Sequence, residues 1–434
     1  MPAEPIAPRY MTRFRCIAER CEDTCCGGLR VPVSEAQWHR MRATVAGNPE
    51  ASERLYQLVL PNEAGASSTE HAFIDMRPDG HCPFLDTERL CSLQRRHGDA
   101  MLPDICATFP RVVTKWGERV EVTGTLACPE VARLCLLAED AVEPAALPPE
   151  FQHAFRPESA RRIPLDEEDA YTFHADSVRA AMLRLLGRRE YPLASRLALL
   201  GHLAYALDGF YFRGTECFRG EERSGTVDRL AEVLQRFESP EVLEAGHRDF
   251  TSLALPGGPC VGLFTSVLKA RLAAGRGERF TTLVRGVLES LPLGAGSPSE
   301  LDTAWRTYVE RWQRLEALHG EQVRRYFHNY ATHHLWRSPF TDAPSLLAYV
   351  FRLALRVGLL RLTLVGHPQV AALCHAPSPT PDAQEQLDRA AVECFQLVAK
   401  HVEQAPDFLS LAEGLVGPGR GADALGKVLI FATF

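Results

Sequence analysis

The sequence predicts a mainly α protein in two parts. A cysteine-rich N-terminal region with a small β-hairpin covers residues 1–140, and a large all-helical region covers residues 150–434. Three observations lead there. Nine of the 13 cysteines fall between residues 16 and 135. The clearest alternating run, Arg119-Val-Glu-Val-Thr-Gly124, lies in the same stretch. Beyond residue 150, apolar residues recur at three- and four-residue steps, the period of an amphipathic helix.

At 434 residues the chain is long enough for a large core and more than one domain. A hydrophobic fraction of 46% and a charged fraction of 24% are those of an ordinary globular protein. A formal net charge of −7 supplies no positive field for nucleic acid. No run reaches the roughly 20 apolar residues of a membrane span. The start, Met1-Pro-Ala-Glu-Pro-Ile-Ala-Pro-Arg-Tyr10, lacks the basic and apolar segments of a secretory signal. The expected compartment is therefore the reducing cytoplasm, where clustered cysteines read as metal-binding or catalytic rather than as disulfides.

In chain order, residues 1–15 read as an extended, proline-rich lead. Gly27-Gly28 allow a tight turn after the first cysteines. Ser34 is an N-cap, with Gln37 at the capping-box position. Residues 61–70 form a polar loop. Val112-Val-Thr-Lys and the alternating run at 119–124 flank Trp116-Gly117, predicting a hairpin that returns Cys128 toward Cys106. Prolines mark a linker from Val142 to Pro149. The acidic run Asp166-Glu-Glu-Asp169 reads as a solvated helix start.

Helical stripes follow at Leu193, Leu197, Leu200, Leu203 and Leu207, and at Val227, Leu230, Val233, Leu234 and Phe237. A long helical segment is expected from about 299 to 335. Thr380-Pro381 sets an N-cap and first helical position. Gly294-Ala-Gly296 reads as a helix connection, and Gly417, Gly419 and Gly421 mark a loop before the apolar C-terminus. Tyr326 through Trp336 is rich in aromatics and histidine; it reads as a packed helix with His328 and His333 half-buried, the alternative being a cavity wall.

The cysteines follow Cys16-x4-Cys21-x3-Cys25-Cys26, Cys82-x8-Cys91-x14-Cys106 and Cys128-x6-Cys135. Most neighbour Pro, Gly or charged residues and so belong to loops and turns. Thiolates are soft ligands for zinc or iron–sulfur clusters, and four suffice for either. Paired CxxC knuckles are absent. The adjacent Cys25-Cys26 pair suits a larger cluster better than one small ion, so iron–sulfur is favoured and zinc stays open. No P-loop, nucleophile elbow or H-E-x-x-H motif occurs.

Pro8-Arg-Tyr-Met11, Phe14-x-Cys16, Cys21-Glu-Asp-Thr-Cys-Cys26, Cys82-Pro-Phe-Leu85, Leu90-Cys91, Leu102-Pro-x-x-Cys106-x-Thr-Phe-Pro-Arg111 and Cys128-Pro-Glu-x-Ala-Arg133 together resemble the flagellin lysine-N-methylase (FliB-like) family. The cysteine region is also similar to the shorter YkgJ-type zinc- or iron-chelating proteins. The helical remainder is similar more loosely. The resemblance implies methyl transfer from S-adenosylmethionine to lysines of flagellin, or of a similar protein partner, and a 4Fe-4S cluster held by N-terminal cysteines. Carried over, the candidate ligands are Cys16, Cys21, Cys25, Cys26, Cys82, Cys91, Cys106 and Cys128. Cys135, at helical spacing among apolar residues, is expected to be a core thiol. The alternative that the resemblance carries is a zinc- or iron-chelating binding protein without methylase activity.

Two departures stand out. Leu29 occupies a place where the family often has an aromatic residue. Neither a C-x3-C-x2-C motif nor the glycine-rich loop of common methyltransferases places the cofactor pocket. Methyl transfer needs an unprotonated amine, so a base is required. Glu22, Asp23 and Tyr326 are the candidates.

Overall fold

In the computed structural model the described residues are 4–27, 30–63, 65–148, 160–166, 168–215, 221–275, 277–293, 298–376, 381–405, 407, 408, 410, 414 and 421–434. Gly28, Leu29, Pro149, Glu167, Gly294 to Gly296, Thr380, Gly417 and Gly419 lie outside them. The fold is mainly α with small sheets near the N-terminus.

The chain divides into two compact units, but not by one cut between 140 and 150. The first comprises Met1–Val131 and Pro144–Arg162; the second comprises Ala132–Glu143 and Ile163–Phe434. The expected linker is the reason. Pro144–Ala146 is a strand that pairs antiparallel with the N-terminal strand, Ile6 opposite Ala146 and Pro8 opposite Pro144. Its single proline, Pro144, is tolerated because the strand sits at the sheet edge, where a missing donor breaks no ladder.

The first unit holds strands β1 (Ile6–Pro8), β2 (Pro32–Val33), β3 (Val59–Pro61), β4 (Ala72–Ile74), β5 (Arg111–Trp116), β6 (Arg119–Gly124), β7 (Pro144–Ala146) and β8 (Arg161–Ile163). The expected hairpin is β5–β6, with Val113 opposite Val122 and Trp116 opposite Arg119. Gly117 has φ +55°, the left-handed value that a type II′ turn puts at its first central position. The hairpin is not isolated. It lies in a five-stranded sheet of order β7-β1-β6-β5-β8, with β1 parallel to β6. The proline-rich lead thus becomes a strand and a short helix, Arg9–Arg13, whose Tyr10 hydroxyl accepts from the Gly124 amide at 2.9 Å.

A separate three-stranded sheet, β2-β4-β3, packs with helices Glu35–Val45 and Pro49–Leu58 around Trp38, Met41, Leu55, Ile74 and Phe84. Ser34 caps the first of these helices by accepting from the Gln37 amide at 3.3 Å, as expected. Its hydroxyl also donates to Asp104 at 2.9 Å. The Gln37 side chain does not close the reciprocal box; it donates to the Ala100 carbonyl at 3.2 Å. Both contacts tie this helix to the Asp99–Thr108 stretch that carries Cys106.

The second unit is helical. Its centre is Leu346–Gly366, a helix buried on nearly every face. All-round hydrophobicity marks either a membrane span or a core helix. Among the described residues no helix is long and apolar enough to cross a membrane, and here Leu193–Asp208, Pro298–Arg337 and Gly421–Thr433 cover it. Gly358 permits the closest approach: a Cβ there would lie 2.5 Å from the Phe264 ring. The helix expected at 299–335 spans Pro298–Arg337 and bends at His319, where φ is −137° and ψ is 27°. The helix expected after Thr380 is Ala383–Val398, beginning later than proposed, with Asp382 at its N-cap. Asp169 accepts from the Tyr171 amide at 3.0 Å, giving the acidic run its helix-start role.

Asn329 is fully buried and donates to the carbonyls of Cys135 at 2.9 Å and Ala138 at 2.8 Å. Carbonyls at the end of helix Pro129–Leu137 have no intrahelical partner, so this amide takes their place. Asn329→Leu is expected to cost about 2–3 kcal/mol, read from urea unfolding of the full chain. A change below about 0.5 kcal/mol would mean that these carbonyls are satisfied without the amide.

Candidate metal centre

The chain between Cys16 and Cys26 is short of regular structure. One 3-10 turn, Ala18–Arg20, precedes Cys21. The Cys21 thiol donates to the Asp23 carbonyl at 2.9 Å, and the Thr24 hydroxyl accepts from the Cys26 amide at 3.1 Å. These local bonds replace helix and sheet ladders. The Cys26 carbonyl then accepts from the Cys82 amide at 2.7 Å, joining the first cysteine group to the second.

Cys91 is placed by a braced turn. The Asp86 carboxylate accepts from the amides of Glu88 and Leu90 at 3.0 and 2.9 Å, and from Arg95 at 2.6 Å. Leu85 then bridges Cys91, which serves as the N-cap residue of helix Ser92–His97. Cys106 departs from the loop expectation and lies on the short helix Asp104–Thr108. Cys128 follows the β5–β6 hairpin, its amide held by the Thr125 carbonyl at 3.1 Å.

These segments enclose a cavity of about 710 Å³ lined by Cys16, Cys21, Cys25, Cys26, Cys91, Cys106 and Cys128. A smaller cavity of about 90 Å³ is lined by Cys25, Cys26, Cys82, Cys91 and Cys106. All eight sequence-derived cysteines therefore face one or both of two spaces that share walls. Cys25, Cys26, Cys91 and Cys106 line both. The hairpin return of Cys128 toward Cys106 is also as expected. Cys135 lines neither cavity; it is fully buried on helix Pro129–Leu137, and burial pushes its thiol up.

The thiols sense one another. A hydrogen bond to Cys25, then burial, pushes Cys26 far above the usual thiol range, and Cys91 and Cys82 add to the shift. Burial raises Cys82, Cys91 and Cys21, and brings Cys128 up to about 12. In such a setting the thiolate forms are mutually unfavourable until a cation joins them, so metal loading would release protons.

The donor set fits a soft metal or an iron–sulfur cluster in its chemistry. Among the described residues no three His, Cys, Asp or Glu side chains converge on a point fit for one ion. A cluster presents its irons apart from one another, so its ligands need not converge. Positive charge also stands at the wall: Arg15, Arg89 and Arg111 line the larger cavity. Arg111 packs over Phe14, 5.4 Å from the ring centroid, and its buried Nε has no hydrogen-bond partner. Burial lowers its pKa, so a net-negative group beside it would be mutually stabilising. Sequence reasoning quoted Arg111 within a motif but gave it no role. Its signal was a basic residue five positions after Cys106.

The proposed bases separate. Asp23 lines the larger cavity, whereas Glu22 is exposed and does not. Tyr326 is fully buried in the helical unit, and its hydroxyl donates to the Asp388 carboxylate. Burial, followed by that carboxylate, drives its pKa up, which disfavours the phenolate that a base requires. Tyr326 is therefore a packed donor in this fold. His328 and His333, expected to be half-buried, are 7% and 3% exposed and belong to the same core.

No solved structure matches the chain. A lysine-N-methylase of Salmonella typhimurium is 28% identical over 137 residues, which is 31% of this chain and 33% of that protein. The flagellar biosynthetic protein FliU of Salmonella muenchen is 28% identical over the same length, 31% of this chain and 78% of that protein. The chain thus spans about a third of the length of the first of these relatives. Residues 179–431, more than half of the chain, match the family described as the FliB lysine N-methylase C-terminal domain. That match covers most of the helical unit, its buried central helix included, and the chain belongs to the FliB lysine N-methylase family.

Proposed function

We propose that this protein is a protein-lysine N-methyltransferase that uses S-adenosylmethionine and holds a 4Fe-4S cluster in its cysteine-lined cavity, with flagellin or a similar exported protein as its substrate. The observation that carries the cluster is the gathering of eight cysteines around two wall-sharing cavities. The family match and the lysine-N-methylase relatives support the reaction.

Cys25, Cys26, Cys91 and Cys106, common to both cavities, are the proposed ligands. Arg111 and Arg15 would offset the negative charge of a thiolate-bound cluster. Such a cluster supplies Lewis acidity or electron transfer when bound. Methyl transfer from a sulfonium is an in-line displacement: the lysine nitrogen forms the new bond as the methyl–sulfur bond breaks, and positioning carries much of the rate. The amine must first lose its proton before it can attack.

The test has two readouts on anaerobically purified protein. One is the iron, sulfide and zinc content per chain; the other is methyl transfer from labelled S-adenosylmethionine to purified flagellin. About four irons per chain and label on flagellin lysines are expected. Iron without methyl transfer would leave a cluster-bearing binding protein. Zinc without iron would replace the cluster by a structural metal.

A further inference from the structure

The helical unit contains a further cavity, of about 420 Å³. That volume lies within the roughly 300–1,000 Å³ typical of small-molecule sites. It has a mixed character. Its floor is apolar and buried, with Leu197, Val323, Phe327 and Val357. Its rim is charged and exposed, with Arg189, Glu190, Glu316 and Arg324.

Residues on both sides of the bend at His319 line this cleft. Trp312 and Glu316 line it from before the bend, and Val323, Arg324 and Phe327 line it from after. Trp312, Glu316, Val323 and Phe327 share one face of the helix by their spacing. The central helix closes the floor with Val357 and Arg361.

Arg361 is the most informative residue. Its guanidinium lies 4.0 Å from the centroid of the Trp312 ring, a cation–π contact that fixes a planar cation at the wall. One nitrogen, Nη1, donates to the Ala432 carbonyl at 3.3 Å. The Nε–H is buried and has no acceptor. A buried unpaired donor is costly and asks for a partner. That nitrogen is sealed from solvent, but the residue lines the cleft, where its positive charge would attract a ligand carboxylate.

We propose that this cleft binds the methyl donor S-adenosylmethionine, with Arg361 receiving its carboxylate, Glu316 and Glu190 its α-ammonium, and Trp312, Phe327 and the apolar floor its adenine. The inference rests on the methyltransferase reading and places the donor site within it. The complementarity is of three kinds in one space: a fixed cation, carboxylates at the rim and an aromatic wall. A simple alkylammonium would use only the carboxylates and the aromatics, leaving the Arg361 charge without a counter-charge from the ligand. A purely anionic ligand would leave Glu190 and Glu316 facing like charge.

Calorimetric titration of the full chain with S-adenosylhomocysteine tests this without turnover, since the product analogue keeps the adenine, carboxylate and ammonium. Wild-type protein is expected to bind it. Glu316→Gln and Arg361→Met are each expected to weaken binding at least tenfold, while iron content stays at the wild-type level. Glu316 is exposed, so its variant keeps the test alive should Arg361→Met fail to fold. Unchanged affinity in Glu316→Gln and in Trp312→Leu would overturn the assignment of this cleft and leave the methyltransferase reading standing. Absence of binding by iron-loaded wild-type protein, to this analogue and to S-adenosylmethionine alike, would overturn both.

Discussion

Anaerobically purified Cys91→Ala protein is expected to lose its iron, from about four atoms per chain to less than about one. Cys91 lines both cysteine cavities, and its placement is over-determined by the Asp86 turn and the Leu85 bridge. Removing one thiolate from a four-thiolate cluster leaves one iron without its protein ligand. The broad absorption near roughly 400 nm that thiolate–iron ligation gives should vanish with it, and methyl transfer to flagellin should fall at least a hundredfold. Cys135→Ala is the matched control. It deletes a thiol of the same chemistry from a dry helical core, so iron should persist while stability falls by about 1 kcal/mol, the usual scale for removing a small buried group. Equal iron in wild type and Cys91→Ala would remove Cys91 from the ligand set. Equal iron across single Ala variants of Cys25, Cys26, Cys91 and Cys106 would refute the proposed tetrad.

The second large effect is acid sensitivity of the helical unit. His328 and His333 are buried neutral, each with its pKa lowered to about 3, chiefly by burial and then by the charges of Arg196 and Arg337 respectively. His334 is lowered well below its ordinary value by burial and then by Arg356. Each group titrates near 6.5 once unfolded. Below that pH the unfolded chain binds protons that the folded chain refuses, so stability is full above about pH 6.5 and drains as the pH falls toward 3. The slope is about 1.4 kcal/mol per pH unit per histidine, so His328 and His333 together remove about 3 kcal/mol for each unit. The melting temperature should fall steeply between pH 6.5 and 5 and change little between 7.5 and 6.5. Acid also protonates thiols that hold a metal, so the His328→Gln variant isolates the effect. The introduced amide can still accept from Arg196, which donates to the His328 ring at 3.0 Å, yet it cannot titrate. A flatter acid slope in that variant is the expected result; a slope identical to wild type would assign the acid sensitivity elsewhere.

Much of the site was legible because its signal is chemical rather than conformational. A cysteine beside Pro or Gly is a poor core residue wherever the chain runs, and all eight candidate ligands meet at the two cavities. Ser34 was legible as a cap because its hydroxyl needs only the next turn. The hairpin was legible from six alternating residues around Gly117. Strands β1, β2, β3, β4 and β7 were not, since two or three residues carry no period. Pro144–Ala146 even argued against itself, because a proline reads as a breaker until an edge position is known. Leu346–Gly366 escaped for the opposite reason: buried on all sides, it has no polar face to show a helical period. The cleft of the helical unit was not legible because its walls come from Leu193–Asp208, Pro298–Arg337 and Leu346–Gly366, helices far apart in sequence that no local pattern connects.

Strand β7 carries a consequence for how the protein is made. The first unit takes residues up to Val131, leaves the chain for Ala132–Glu143, and resumes at Pro144. During synthesis Cys128, the last cavity cysteine, is therefore complete before the strand that closes the sheet beside Ile6–Pro8. At about 5–20 residues per second the interval is a few seconds. Through it the N-terminal strand presents an unpaired edge, open to pairing with another chain until Pro144–Ala146 arrives.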